Sequence, residues 1–248
     1  MNILHICSIN NNKTSGISNV VPEHFINQKK YANVALMNCN TIQIEKLKEE
    51  KNVFYAKDID YNIQNLPEPF NNPDLAIFHG IYIYKYTKIA KKLKKRNIPY
   101  IIIPHGSLTS NAQKIKRIKK ILANLIFFNK FIFNSKCIQF LSIEEKNMSK
   151  RYDFNSFILG NGMNNPQIEK KVFENDKLKL IYIGRYDIFH KGIDLIIEYC
   201  FSDKEYMKKN NITVDLYGCG NDGAQAVKKL VNKFKIQDII TVHRTSIL

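Results

Sequence analysis

The chain has 248 residues, 44% of them hydrophobic, enough to bury a sizeable core, which argues against a disordered chain. No apolar run reaches the roughly 18 residues of a membrane-crossing helix, and the opening residues lack the charged region and cleavage site of a secretory signal. The net charge of +16 fits an anionic membrane face or phosphate-bearing substrates, and it fits a plain lysine-rich solvated surface equally well.

Lysines spread over helix faces and turns supply weak phosphate attraction without an element positioned to read bases, so no specific nucleic-acid partner is expected. The five cysteines have no metal-ligand spacing and read as reduced thiols of a cytoplasmic protein. The six histidines are scattered and form no HExxH pattern, so no metal site is expected.

In chain order, residues 2–7 form an apolar strand, 8–16 a polar loop ending in Ser15-Gly16, and the pattern to residue 29 a helix. Further strands are expected at 32–37, 53–55, 75–78, 100–103, 138–141 and 156–159, with helices at 84–96, 112–133 and 142–152. Near-continuous apolar strands separated by long helices predict an α/β fold built on a parallel sheet covered on both faces. The stretch 114–133 joins a basic first half to Leu122, Leu125, Ile126, Phe127, Phe128, Phe131 and Phe133. It suits a membrane interface or a helix packed on the sheet; core packing is favoured because the fold needs helices there.

The pattern changes at residues 160–175, where Gly160, Gly162 and Pro166 interrupt regular structure and a charged run follows. The predicted organisation is a first domain at 1–160, a linker at 161–176 and a partial second domain at 177–248. The second is expected to hold strands at 178–183, 212–217 and 239–242 and helices at 192–199 and 224–234. Three parallel strands would leave apolar surface poorly covered, so this domain is expected to need further sequence or a partner.

The main chemical candidate is Gly184-Arg185 followed by Lys191-Gly192-Ile193-Asp194-Leu195. A glycine at a strand exit lets the backbone come close to a ligand, Arg185 can grip phosphate oxygens bidentately, and Lys191 at the start of the next helix adds a second positive charge. An ordinary strand-loop-helix connection with surface cations accounts for the same residues. Downstream, Gly218-Cys219-Gly220 is another glycine-rich strand exit, without the third glycine and acid of a dinucleotide fingerprint. In the first domain, His79-Gly80 and Pro104-His105-Gly106 follow apolar strands, where ligands gather in open α/β sheets, although either pair could be a plain turn.

Together these motifs resemble the group 1 retaining glycosyltransferases. The resemblance runs through Ser15-Gly16, Pro104-His105-Gly106-Ser107-Leu108, Leu141-Ser142-Ile143-Glu144, Asn161-Gly162-Met163, Gly184-Arg185, Lys191-Gly192 and Leu216-Tyr217-Gly218-Cys219-Gly220. It implies the GT-B fold, two Rossmann-like domains with the second incomplete here: an acceptor-side domain and a partial donor-binding domain. It further implies that Arg185 and Lys191 hold the donor diphosphate, that His105 faces the sugar as the catalytic residue, and that Gly16, Asn161, Gly162, Gly218 and Gly220 line loops or the cleft.

The implied reaction moves a sugar from a nucleotide-sugar donor to a growing surface-glycan or lipid-linked acceptor with retention, without a metal or other cofactor, at the inner face of the cell membrane. Only Gly16 stands where many relatives have a glycine pair. The family's later pair of glutamates, separated by seven residues, is absent from the 248 residues, so impaired transfer is expected. The alternative is a non-catalytic peripheral membrane or glycan-binding module on the same scaffold.

Overall fold

The computed structural model describes residues 1–12, 14–162, 177–219 and 221–244, and the chain forms two compact units, Met1–Asn164 and Asn165–Leu248. The expected linker lies outside the described residues beyond Gly162, as does Gly220.

The first unit is a seven-stranded parallel sheet of β1 (Asn2–Cys7), β2 (Asn33–Asn38), β3 (Val53–Tyr55), β4 (Leu75–His79), β5 (Tyr100–Ile103), β6 (Cys137–Phe140) and β7 (Ser156–Ile158). Their order is β3-β2-β1-β4-β5-β6-β7, so the winding reverses between β1 and β4. In a doubly wound sheet the crevice at such a reversal is where ligands bind.

Side chains alternate across the sheet. Leu4 and Ile6 of β1 join Phe78, Tyr86 and Phe131 on one face. Ile3 and Cys7 join Val21 and Phe25 of α1 (Gly16–Gln28) on the other, and the same period puts His5 among them. α2 (Tyr84–Lys95) buries Tyr86, Ile89, Ala90 and Leu93, one helical stripe, and turns its lysines outward.

The single helix expected at 112–133 is broken. α3 (Ser110–Lys114) and α4 (Arg117–Ala123) are separated at Lys116, whose φ of 53° lies in the left-handed region that ends a helix. A wide π turn at Asn124–Phe128 then leads into α5 (Asn129–Phe133). The extra residue in that turn rotates the apolar face. Phe128, Phe131 and Ile132 enter the core, whereas Ile118, Leu122, Leu125 and Ile126 remain exposed. The stretch is therefore core only at Phe128, Phe131 and Ile132, and exposed apolar surface over most of the rest, Phe127 and Phe133 included. α6 (Ile143–Met148) follows β6, capped by Ser142.

The second unit contains β8 (Leu178–Ile183), α7 (Ile188–Lys191), α8 (Ile193–Ser202), α9 (Lys204–Lys209), β9 (Ile212–Gly218), α10 (Asn221–Phe234) and β10 (Ile240–Arg244). Its parallel strands run β10-β9-β8, repeating the β3-β2-β1 half of the first sheet. Ile193, Ile197, Val214, Leu216, Val227 and Val231 form its core. β8 stands at the edge where β1 has β4 as a neighbour, and its Leu180, Ile181 and Ile183 are exposed.

Candidate functional site

Four of the six histidines, scattered in sequence, gather at the winding reversal of the first sheet. His5 from the middle of β1 and His79 from the end of β4 are fully buried, with His5 Nδ1 2.8 Å from His79 Nε2. His79 Nδ1 lies 3.3 Å from His105 Nε2 in the loop after β5. At the inner end, His5 Nε2 is 2.8 Å from Gln28 Oε1 at the close of α1, and the His24 ring tilts against His79 with centroids 5.8 Å apart.

This geometry orders the ring protons. With the Gln28 carbonyl oxygen as terminal acceptor, His5 carries its proton on Nε2 and accepts at Nδ1 from His79, which accepts at Nδ1 from His105. His105 Nδ1 is then left as an acceptor with no protein partner among the described residues. All three rings are neutral. Burial lowers His5 and His105 to about 4, and burial followed by the neighbouring histidines holds His79 well below its usual range. His105 consequently offers a hydrogen-bond acceptor to a ligand hydroxyl, and near neutral pH it has no proton to give as an acid at Nδ1.

The loop that carries His105 is tightly built. His105 at φ 49° and Gly106 at φ 79° are successive left-handed residues, a reversal for which glycine at the second position is suited. Buried Glu145 holds it in place. One carboxylate oxygen accepts from the Gly106 N–H at 2.5 Å and the other from the Leu141 N–H at 2.7 Å, joining the exits of β5 and β6. Its own N–H donates to Ser142 Oγ, the serine half of a capping box, while the carboxylate reaches the Leu141 N–H one residue before the cap. That Ser-x-x-Glu spacing was readable in the sequence, yet Glu145 was not among the expected site residues.

Gly16 is the first residue of α1, after Ser15, whose hydroxyl caps the helix. A Cβ on Gly16 would meet nothing within 4 Å, so its value is open space at the helix entrance rather than an unusual backbone. Asn161 and Gly162 are exposed at the last described positions of the first unit.

In the second unit, Arg185 and Lys191 are exposed on the connection that leaves β8. Lys191 ends the one-turn α7 instead of opening the long helix, because Gly192 at φ 63° separates the two. The glycines here serve packing. A Cβ on Gly218 would lie 2.4 Å from the Gly184 carbonyl oxygen, so the exits of β8 and β9 touch backbone to backbone. Tyr186, which the sequence did not single out, fixes this connection: its hydroxyl reaches the Leu216 and His243 carbonyls at 2.6 and 2.5 Å, and its N–H donates to Cys219 O at 3.0 Å.

Among the described residues no group of histidine, cysteine and carboxylate side chains is arranged to hold a metal ion, and no helix is long and apolar enough to cross a membrane.

No protein-family model matches the chain, and no curated protein matches it. Solved structures do. The lipopolysaccharide outer core galactosyltransferase WaaB, in its apo form, is similar over 99% of this chain and 69% of its own, with a TM-score of 0.66 at 16% identity. TarM matches over 99% of this chain and 76% of its own, with a TM-score of 0.62 at 11% identity. The UDP-GlcNAc 2-epimerase from Methanocaldococcus jannaschii matches over 100% of this chain and 74% of its own, with a TM-score of 0.54 at 14% identity. The fold is therefore of GT-B type. At these identities the fold is what is shared, and it serves an epimerase as well as transferases.

Proposed function

We propose that the chain is a glycosyltransferase component that takes a nucleotide sugar by its diphosphate at Arg185 and Lys191 and passes the sugar, with retention, to a surface-glycan or lipid-linked acceptor. The observation that carries this reading is neutral His105, held by a buried histidine chain at the carboxyl edge of a parallel sheet of GT-B type. A fixed acceptor at that edge suits a sugar hydroxyl. The guanidinium of Arg185 and the ammonium of Lys191 suit the charge that grows on a diphosphate as its bond to the sugar breaks, the task a metal ion performs elsewhere.

In this reading Gly16 at the entrance of α1, and Asn161 and Gly162, lie beside the substrates, whereas Gly218 at the end of β9 serves packing. Transfer by these 248 residues is expected to be weak, because the glutamate pair that grips ribose and sugar in the resembled family is not among them. Titrating UDP and UDP-sugars into the full chain, and into Arg185→Ala and Lys191→Ala, tests the donor site. Each substitution is expected to weaken binding about tenfold, as for loss of a charge-assisted hydrogen bond. Unchanged affinity in both would remove the two residues from the donor site.

The same reading puts the first unit against the inner face of a cell membrane. Ile118, Leu122, Leu125 and Ile126 are 75%, 54%, 74% and 63% exposed beside Lys116, Lys119 and Lys130, apolar side chains flanked by cations as interfacial helices require. Vesicle co-sedimentation should fall when Leu122 and Leu125 become serine, and should fall with added salt when the lipid is anionic.

A further inference from the structure

A pocket of about 560 Å³ lies between α3 and α4 on one side and the segment from α6 through the one-turn 3₁₀ helix Lys150–Tyr152 on the other. It is separate from the histidine chain and lies in the first unit, whereas Arg185 and Lys191 are in the second. Lys114, Arg117 and Lys120 face it from the helices, and Lys150 and Arg151 from the turn. No carboxylate lines it, and among the described residues none of these five cations is in an ion pair. Like charges gathered without a counter-charge repel one another. Lys120 is held below the usual lysine range, first by burial and then by the charge of Lys116, which lies outside the lining.

A second observation concerns the wall of the same pocket. Asn124 and Ser149 line it while only 5% and 2% exposed, and the Oδ1 of the first and the Oγ of the second have no hydrogen-bond partner. Buried polar atoms are ordinarily paired, and leaving two unpaired in one place costs stability unless a ligand satisfies them. Ser149 can donate to an anion oxygen, and Asn124 Oδ1 can accept from a ligand hydroxyl. Ile121 and Met148 form an apolar part of the lining, and Ile121 adjoins the exposed Ile118 and Leu122. The complement is an anion with hydroxyls on one side and hydrocarbon on the other.

We propose that this pocket holds the acceptor's phosphate, the phosphate or diphosphate group that joins a glycan to its lipid. The identity of the bearer rests on the sugar-transfer reading above; the capture of phosphate does not.

The test begins from the full chain carrying Arg185→Gln and Lys191→Gln, so that the proposed donor loop contributes no phosphate contact. Inorganic pyrophosphate is titrated calorimetrically into this protein. One site is expected, weakened about tenfold or more when Arg117→Gln and Lys150→Gln are added, as befits loss of charge-assisted hydrogen bonds. Lys88→Gln with Lys91→Gln, the same change of charge on α2, should leave affinity within about twofold, since screened distant charges contribute little. Ser149→Ala should also weaken binding while leaving the melting temperature of the free protein unchanged or higher, because it removes an unpaired buried hydroxyl; a merely structural serine would lower the melting temperature.

Displacement of pyrophosphate by phosphatidylcholine vesicles containing phosphatidic acid, and not by phosphatidylcholine alone, supports the lipid-borne phosphate. Pyrophosphate binding that such vesicles leave intact assigns the pocket to a soluble phosphate ester and overturns the lipid-linked assignment. No binding, or equal weakening by the α2 pair, overturns the site. UDP affinity of the unaltered chain, read separately, reports the donor site, so either reading can fail alone.

Discussion

His5 Nδ1 stands 2.8 Å from His79 Nε2, two fully buried imidazoles from neighbouring parallel strands joined by one proton. Water is excluded from both, and burial makes the charged form of each unfavourable. The pair passes its order to His105, the one ring of the chain that reaches the edge of the sheet.

Acid should therefore unfold the first unit early. An unfolded histidine titrates near 6.5, whereas in the folded chain burial lowers His5 and His105 to about 4 and holds His79 well below its usual range. Between those values the unfolded chain binds protons that the folded chain refuses, so stability is complete above pH 6.5 and is lost as pH falls toward 4. For His5 alone the shift from 6.5 to about 4 corresponds to roughly 3 kcal/mol. Thermal melts recorded from neutral pH downward should show a steep drop across this window. A flat melting temperature would mean that the rings are not held neutral.

Gln28 gives the chain its direction. Gln28→Leu removes the terminal acceptor and is expected to cost about 1 kcal/mol, the net worth of one hydrogen bond. It should also mix the tautomers of all three rings. Nitrogen chemical shifts of the imidazoles would read this directly: protonated Nε2 in His5, His79 and His105 of the parent chain, and a mixture in the variant. A parent His105 protonated on Nδ1 would reverse the assigned order and make it a donor.

The strands and their parallel sheet were legible because each is a short apolar run between helical stretches. The histidine chain was not. His5 and His24 lie in consecutive elements, but His79 and His105 come several elements later, and the reversal that puts β4 beside β1 brings them together. His79 and His105 could be singled out locally, since each precedes a glycine at a strand exit; His5 looks like one polar residue in an apolar strand. The break in the 112–133 helix was illegible for another reason. It depends on a left-handed lysine and a π turn, which no composition signal marks, and it decides which apolar residues are buried. Glu145 was hidden by its neighbour Glu144, which is exposed, although the serine three residues earlier marks a cap.

Glu145→Ala should loosen the His105 loop. It strips the partners from the Gly106 and Leu141 amides at once, and charge-assisted bonds of this kind are worth about 1.5–3 kcal/mol each. Hydrogen exchange at those two amides should accelerate far more than exchange at the β1 amides. Equal acceleration throughout the sheet would indicate global destabilisation and remove the specific role given to Glu145. Glu145→Gln, which keeps one carbonyl acceptor, should fall between the two.

Gly16 and Gly218 should separate ligand space from packing space. At Gly218 an added Cβ would meet the Gly184 carbonyl oxygen at 2.4 Å and the Tyr186 ring at 3.0 Å, and backbone cannot yield as a flexible side chain does. Gly218→Ala is expected to destabilise the second unit by about 1–3 kcal/mol, as overpacking does. Gly16 begins a helix with nothing within 4 Å of the new methyl, so alanine there should leave stability unchanged or raise it by up to about 1 kcal/mol. If a substrate uses that open space, Gly16→Ala will lower transfer while the melting temperature holds or rises, and Gly218→Ala will lower both together. A Gly16→Ala chain with unaltered transfer in a reconstituted system would leave Gly16 as an ordinary helix start.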